Sequence, residues 1–165
     1  MKIAFKSTRN TKESAREEIY IMDYDGSNVK RLSTTIGWES DHDPSWSPNS
    51  DSIVFMRFSG VRPWTDIGNF FIFSKHWDEL TPWNSYKVDL NGKVEQLTNT
   101  NYIAQLAVYS SNGEKILFID NEFNFFNKKL IGIDHKLTIM NTDGTYQQQL
   151  IPDNEHNPTM EYFDW

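Results

Sequence analysis

The sequence predicts an all-β fold assembled from repeated four-stranded units. Three observations support this prediction. Hairpins with a glycine turn recur along the chain, a second type of hairpin recurs between them, and aromatic residues, which suit strands, make up 15% of the 165 residues. The length is that of one ordinary domain, so we predict a single domain over residues 1–165.

The first hairpin type alternates apolar and polar residues, reaches Asp-Gly or Asn-Gly, and returns in a strand that ends in leucine. A tight hairpin of this kind needs positive φ at the turn, which glycine adopts without steric cost. The three copies are Tyr20–Ser33, Tyr86–Thr98 and Leu137–Leu150, with Leu32, Leu97 and Leu150 in the same place.

The second hairpin type lies between copies of the first. Pro44–Met56 matches Ala107–Ile119 nearly position for position, and Trp46 aligns with Tyr109. The first five residues, 1–5, match the second half of this hairpin, and Pro158–Trp165 matches its first half. Ser33–Asp43 is therefore predicted to be the connection between two units.

Four-stranded units repeated around an axis form a β-propeller, whereas turns at regular spacing are also typical of a β-sandwich. The position-by-position match favours the propeller. The predicted blades are residues 1–33, which are incomplete, 44–98 and 106–150, with 158–165 as the inner strand of a next or closing blade.

These hairpins resemble the PD40 (WD40-like) repeat of the TolB propeller family, which also occurs in the propellers of prolyl-oligopeptidase-type enzymes. The matching residues are Pro44, Trp46, Ser47, Pro48, Ile53 and Phe55, followed by Ile19, Tyr20, Met22, Asp23, Asp25, Gly26 and Leu32 in the glycine hairpin. Asn49-Ser50 replaces the family's Asp-Gly, and residues 107–111 depart from its Pro-x-Trp-Ser-Pro segment. The resemblance implies a TolB-type propeller.

Three blades are fewer than the four to eight of known propellers. Two arrangements would resolve this. A homodimer could complete a six-bladed ring, in which each chain lends its strand 158–165 to the other. Alternatively, the chain is a truncated propeller whose end faces need cover.

The tight turns are predicted at one end of the blades and the long loops at the other, where binding usually occurs. The long loops include Ser33–Asp43, Arg57–Asn84 and Asp120–His135. The candidate ligand-binding residues on this loop face are Trp38, Asp41, His42, Asp43, Trp64, His76, Trp77, His135 and His156.

Two histidines are candidates for a metal site. His42 and His156 each stand two residues before a proline, Pro44 and Pro158, at equivalent places in the repeat. Imidazoles and neighbouring carboxylates around a channel suit a divalent cation. The alternative, which the sequence favours, is that these side chains satisfy backbone groups in a turn. No metal and no cofactor is predicted.

The insertion Arg57–Asn84 is the part least like the repeats, and Phe70–Phe73 is predicted to add a strand there. Its aromatic residues favour either a flap that binds a peptide or sugar, or a small core beneath a long loop. The sequence favours the second interpretation.

Charge and composition exclude several classes of function. The net charge is −7 without a basic run, which argues against a nucleic-acid partner, and no apolar run is long enough for membrane insertion. The first ten residues lack the apolar segment of a signal peptide, so none is expected. The chain has no cysteine, and no catalytic motif is visible.

The sequence therefore predicts a non-enzymatic module that binds a protein or peptide through its long-loop face. The TolB resemblance implies an extracytoplasmic, periplasmic interaction platform. The alternative is the propeller portion of an enzyme. That enzyme would be a prolyl-oligopeptidase-like hydrolase, with the propeller as gate, or a metal-dependent oligosaccharide lyase.

Overall fold

All regular structure in the described part of the protein is β-strand. The computed structural model describes residues 1–10, 16–37, 39–59, 83–100, 103–127 and 129–150. The strands are β1 Lys2–Ser7, β2 Glu18–Asp23, β3 Lys30–Arg31, β4 Ser40–Trp46, β5 Ser52–Phe58, β6 Trp83–Asp89, β7 Val94–Gln96, β8 Ile103–Tyr109, β9 Lys115–Phe126, β10 Lys129–Asn141 and β11 Gln148–Gln149. The predicted all-β class is confirmed for these residues. The described ranges contain no helix that is long and apolar enough to cross a membrane.

The strands form three antiparallel groups in chain order. The N-terminal sheet is β1-β2-β3. The middle sheet is β4-β5-β6-β7, and the C-terminal sheet is β8-β9-β10-β11. A single parallel bridge from Trp83 to Ile103 joins the middle and C-terminal sheets. Within the described ranges no sheet closes on itself.

Tight turns connect the strands at one end of every sheet, which we call the turn end. Each of the five turns has a backbone hydrogen bond from the fourth residue to the first, of 2.9–3.0 Å, donated by Gly26, Ser50, Gly92, Gly113 and Gly144. Ser50 has φ of 61°, where its counterpart Gly113 has 74°. The serine therefore adopts the left-handed backbone for which the other four turns use glycine. The opposite end of the sheets is the loop end.

The hydrophobic core lies between the sheets. Ile19, Ile21 and Leu32 of the N-terminal sheet pack with Ile53 and Phe55 of the middle sheet. A second cluster joins the middle and C-terminal sheets in the same way, through Val54, Leu97, Ala104, Ala107, Tyr109, Ile116, Phe118 and Met140. Ile53 and Phe55 of β5 therefore face the N-terminal sheet, whereas Val54 faces the C-terminal sheet, because side chains alternate along a strand.

Glycine turns also allow close approach between neighbouring sheets. A Cβ atom on Gly92 would lie 3.1 Å from the carbonyl oxygen of Leu32. A Cβ on Gly144 would overlap the carbonyl oxygen of Leu97, and it would lie 3.0 Å from the Cα and 3.1 Å from the carbonyl carbon of that residue, which is tighter than most real Cβ contacts. At both junctions, therefore, a turn glycine packs on the backbone of the leucine that ends the preceding sheet.

Two predicted loops are wrong, because the strands extend further toward the loop end. Strand β4 begins at Ser40, so Asp41, His42 and Asp43 belong to a strand and not to the connection 33–43. The predicted loop 120–135 is a hairpin between β9 and β10, with Asn121 opposite His135. A bulge in β4 explains the first error, since the pairing with β5 shifts between His42 and Ser45.

Candidate functional site

A buried ion pair lies near the loop end of the middle sheet. The Arg57 Nε donates to Asp41 Oδ1 over 2.6 Å, and its Nη2 donates to Oδ2 over 2.9 Å. The carboxyl of Asp41 is fully buried, and it also accepts a 2.5 Å hydrogen bond from the Ser33 hydroxyl. Two parallel bonds from one guanidinium fix both side chains, so Asp41 is held in place and is not free to meet a ligand.

The Arg57 guanidinium ties several elements together. It lies 5.6 Å from the ring centre of Phe55 and 5.2 Å from that of Tyr86, which stack on each other. Its Nη2 also donates to the Thr34 carbonyl over 3.3 Å. Burial raises the pKa of the Asp41 carboxyl, against the opposing effects of Arg57 and Ser33. The ion pair of Asp41 and Arg57 thus fixes the structure directly beneath the loop end.

His42 belongs to a second, half-buried cluster on the same strand. Lys6 Nζ lies 3.0 Å from His42 Nδ1 and 3.0 Å from Glu17 Oε2, while Nδ1 and Glu17 Oε2 are 3.1 Å apart. The other ring nitrogen, Nε2, lies 3.1 Å from the Ser40 hydroxyl. The imidazole also packs on Trp83, with ring centres 4.9 Å apart. The N-terminal sheet, β4 and β6 therefore meet at this histidine.

Burial lowers the pKa of His42, and the charge of Lys6 lowers it further, against Glu17, Asp43 and Asp41, which raise it. The neutral imidazole can accept from Lys6 at Nδ1 and donate to Ser40 at Nε2. Protonation would place a second positive charge beside Lys6. His42 therefore couples the charge of this cluster to pH.

Asp43 is exposed at the bulge of β4, with φ of 50°. Leu106 occupies the same repeat position in β8 and has φ of 55°. The left-handed backbone is thus a feature of the repeat, and aspartate adopts it more readily than leucine. Of the predicted site residues in β4, Asp43 presents the most accessible charge.

His135 lies in β10 and pairs with the Asn121 side chain across the hairpin. Asn121 donates in turn to the Ile103 carbonyl over 3.0 Å, which links β9 to β8. Among the described residues, His42 and His135 share no hydrogen-bond partner. The structure does not bring these two imidazoles into one site.

The remaining predicted site residues lie outside the described ranges, as do the predicted strand Phe70–Phe73 and the segment 158–165. Those site residues are Trp38, Trp64, His76, Trp77 and His156. Within the ranges that are described, no group of three or more histidine, aspartate or glutamate side chains is placed to hold a metal ion. The metal site considered for His42 and His156 is therefore not tested by the described residues.

Sequence reasoning missed several residues that the structure places at the loop end. Lys6, Glu17 and Arg57 are not among the predicted site residues, although all three are charged residues at the edge of apolar segments. Asp120 occupies the place of Arg57 in the next repeat, where it pairs in register with Ala104 as Arg57 does with Asp41. Burial raises the pKa of Asp120, and its Oδ1 has no hydrogen-bond partner among the described residues. Repeat alignment pairs the charged residues Arg57 and Asp120, but Lys6 aligns with Met56 and Glu17 with Trp83, so the repeats do not reveal the cluster around His42.

Replacing His42 with glutamine is expected to flatten the stability profile between neutral and mildly acidic pH. A lowered folded-state pKa means that the unfolded chain binds more protons below its pKa of about 6.5. The stability of the native protein should therefore fall as the pH drops below that value. Urea unfolding of both proteins at pH 7.5 and 5.5 measures the difference. Equal pH dependence in the two proteins would contradict the assignment.

Solved structures show what this arrangement of sheets is similar to. No family model matches the chain. A protein assigned as TolB from Agrobacterium tumefaciens matches with a TM-score of 0.60 and 20% identity, over 91% of this chain and 45% of that one. TolB from Acinetobacter baumannii matches with a TM-score of 0.55 and 20% identity, over 92% of this chain and 30% of that one.

An enzyme is also among the similar structures. Oligogalacturonate lyase from Vibrio parahaemolyticus matches with a TM-score of 0.57 and 15% identity, over 97% of this chain and 36% of that one. These likenesses show a TolB-like, propeller-type fold, and at such identities they show the fold alone. The chain spans less than half the length of each of the three.

Proposed function

We propose that the chain is a non-enzymatic propeller module that binds a protein or peptide at its loop end. In this proposal the three sheets are blades of a TolB-like propeller, and the PD40-type repeat and an extracytoplasmic setting follow from the same resemblance. The observation that carries the proposal is the structure of the loop end. A buried ion pair fixes the backbone there, and side chains from different sheets surround it.

The chemistry of that surface suits a polypeptide ligand. His42 and Trp83 supply an aromatic surface with hydrogen-bonding edges, Asp43 supplies an exposed carboxylate, and Lys6 with Glu17 supplies an ion pair that can rearrange. Mixed aromatic and charged groups on a rigid scaffold are typical of protein-binding surfaces. The exposed carboxylate and the overall charge of −7 favour a basic segment.

A random peptide library displayed on phage tests the proposal. Basic peptides selected on the native protein should lose at least about tenfold in affinity for Asp43→Lys, which reverses the charge at the loop end. Glu114→Lys is the matched control, since Glu114 is an exposed acid at the turn end. Equal loss in both variants, or no enrichment of peptides, would count against a binding site at the loop end.

The alternative function is the propeller portion of an enzyme, either a lyase or a peptidase, and the likeness to the lyase favours it. The peptidase version needs a hydrolase domain elsewhere in a longer polypeptide. The lyase version predicts unsaturated uronate from oligogalacturonate when a divalent metal is supplied. Product formation that His42→Ala abolishes would establish this alternative in place of the binding module.

A further inference from the structure

One face of the N-terminal sheet repeats, position by position, a face that is buried in the middle sheet. The register of β1 with β2 equals that of β5 with β6, because Lys2 pairs with Asp23 as Ser52 pairs with Asp89. Ile3 thus corresponds to Ile53, Phe5 to Phe55 and Tyr20 to Tyr86.

The two faces share an aromatic stack as well as a register. The rings of Phe5 and Tyr20 stack at 5.7 Å, and those of Phe55 and Tyr86 at 5.9 Å. Arg9 covers the first pair at 5.3 and 5.1 Å, as Arg57 covers the second at 5.6 and 5.2 Å. We call the surface formed by Ile3, Phe5, Met22, Tyr24 and Gly26 the N-terminal end face.

Burial of Ile3 and Phe5 shows that this part of the end face lacks a neighbour in the described structure, whereas Tyr20, which Arg9 covers, is 2% exposed. Ile53 and Ile116 are 0% exposed, whereas Ile3 is 37% exposed. Phe55 and Phe118 are likewise fully buried, whereas Phe5 is only half-buried. The difference follows from position, since the middle and C-terminal sheets each have a sheet packed on this side.

The contacts between neighbouring sheets within the chain show which contacts a neighbour of the end face would make. Gly92 and Gly144 each pack on the backbone of the leucine that ends the preceding sheet, but a Cβ on Gly26 would meet nothing within 4 Å. A lysine of the preceding sheet also donates to a turn carbonyl at both junctions. Lys30 reaches the Leu90 carbonyl over 2.6 Å, and Lys87 reaches that of Thr142 over 3.2 Å. Tyr24 is the corresponding turn residue of the end face and is 70% exposed.

The surface that would pack on the end face is present at the other end of the same chain. Leu150 occupies the repeat position of Leu32 and Leu97, which are 4% and 7% exposed and pack on the next sheet, but Leu150 is 45% exposed. Among the described residues, the turn face at one end of the array and Leu150 at the other are therefore both partly exposed.

We propose that a second copy of this chain covers the N-terminal end face, with its Leu150 packed against Gly26 as Leu32 packs against Gly92. This inference rests on the proposed propeller arrangement and names one partner of it. In this proposal each copy contacts the other at both ends around a twofold axis, and such a closed arrangement does not polymerise.

Sedimentation of the 165-residue chain over a range of concentrations tests the proposal. The expected species has twice the mass of 19.4 kDa. Ile3→Asp and Leu150→Asp should each shift it to a monomer, because a carboxylate at either half opposes burial. Ile131→Asp is the matched control, since Ile131 is 66% exposed on the β9–β10 hairpin and away from both end faces.

Cross-linking distinguishes head-to-tail pairing from other dimers. The chain has no cysteine, so Tyr24→Cys and Gln148→Cys introduce single thiols at positions equivalent to Leu90 and Lys30. A short thiol cross-linker should join the two variants when they are mixed and should join neither variant to itself. Self-cross-linking of Tyr24→Cys, a folded monomer at every concentration, or a monomeric Ile131→Asp would overturn the proposal. A folded monomer that still selects peptides at the loop end would leave the proposed binding function intact.

Discussion

Replacing Arg57 with methionine is expected to destabilise the protein by about 3–5 kcal/mol, the largest effect of any substitution considered. The change leaves the Asp41 carboxylate fully buried without its two hydrogen bonds from the guanidinium. It also removes the cation from the Phe55 and Tyr86 rings. Urea unfolding monitored by tryptophan fluorescence measures the loss.

The double variant Asp41→Leu, Arg57→Met is the matched control. Replacing both charges with apolar side chains of similar size removes the uncompensated carboxylate, so much of the lost stability should return. The single variant should also become relatively more stable as the pH falls. Its unpaired carboxyl has a raised folded-state pKa, and stability from such a group is lost as the pH rises through that value. A double variant as unstable as Arg57→Met would contradict the ion-pair explanation.

Substituting Gly144 with alanine is expected to cost about 2–5 kcal/mol. Part of the cost, about 1–2 kcal/mol, comes from placing a side chain at φ of 83°. The rest arises because the new Cβ would overlap the backbone of Leu97 in the neighbouring sheet, which forces the two sheets apart. Thermal and urea unfolding both report this change.

Gly113→Ala separates the two contributions. Gly113 has φ of 74°, but a Cβ there would meet only the Pro48 ring at 3.7 Å, an ordinary contact. Its substitution should therefore cost only the backbone term. If the two variants lose the same stability, the close approach between the middle and C-terminal sheets is not a real constraint on residue 144.

Much of the fold can be predicted from the repeats. A glycine after aspartate or asparagine marks a turn wherever φ must be positive, and the leucine that follows returns to the core at Leu32 and Leu97. Even the departure at Ser50 keeps the left-handed backbone of its glycine counterpart. These features depend on local sterics and on side-chain periodicity, which a single sequence displays directly.

The loop end is harder to predict, because its geometry depends on contacts between distant segments. The bulge of β4 brings Asp41 opposite Arg57 and aims His42 at Trp83, and neither pairing follows from spacing along the chain. The hairpin of β9 and β10 continues through polar residues such as Asn121 and His135, where composition indicates a loop. Their hydrogen bond across the strands replaces the apolar pattern that sequence reasoning looks for.

The position of the core between sheets has a consequence for folding. Each hydrophobic cluster draws residues from two neighbouring sheets, so each sheet is completed by the one beside it. Stability in such an array is the sum of weak intrinsic terms and strong nearest-neighbour couplings. In a single chain, unfolding should then begin at an end of the array and spread inward, and the middle sheet, which is coupled on both sides, should be the last to exchange its amide protons.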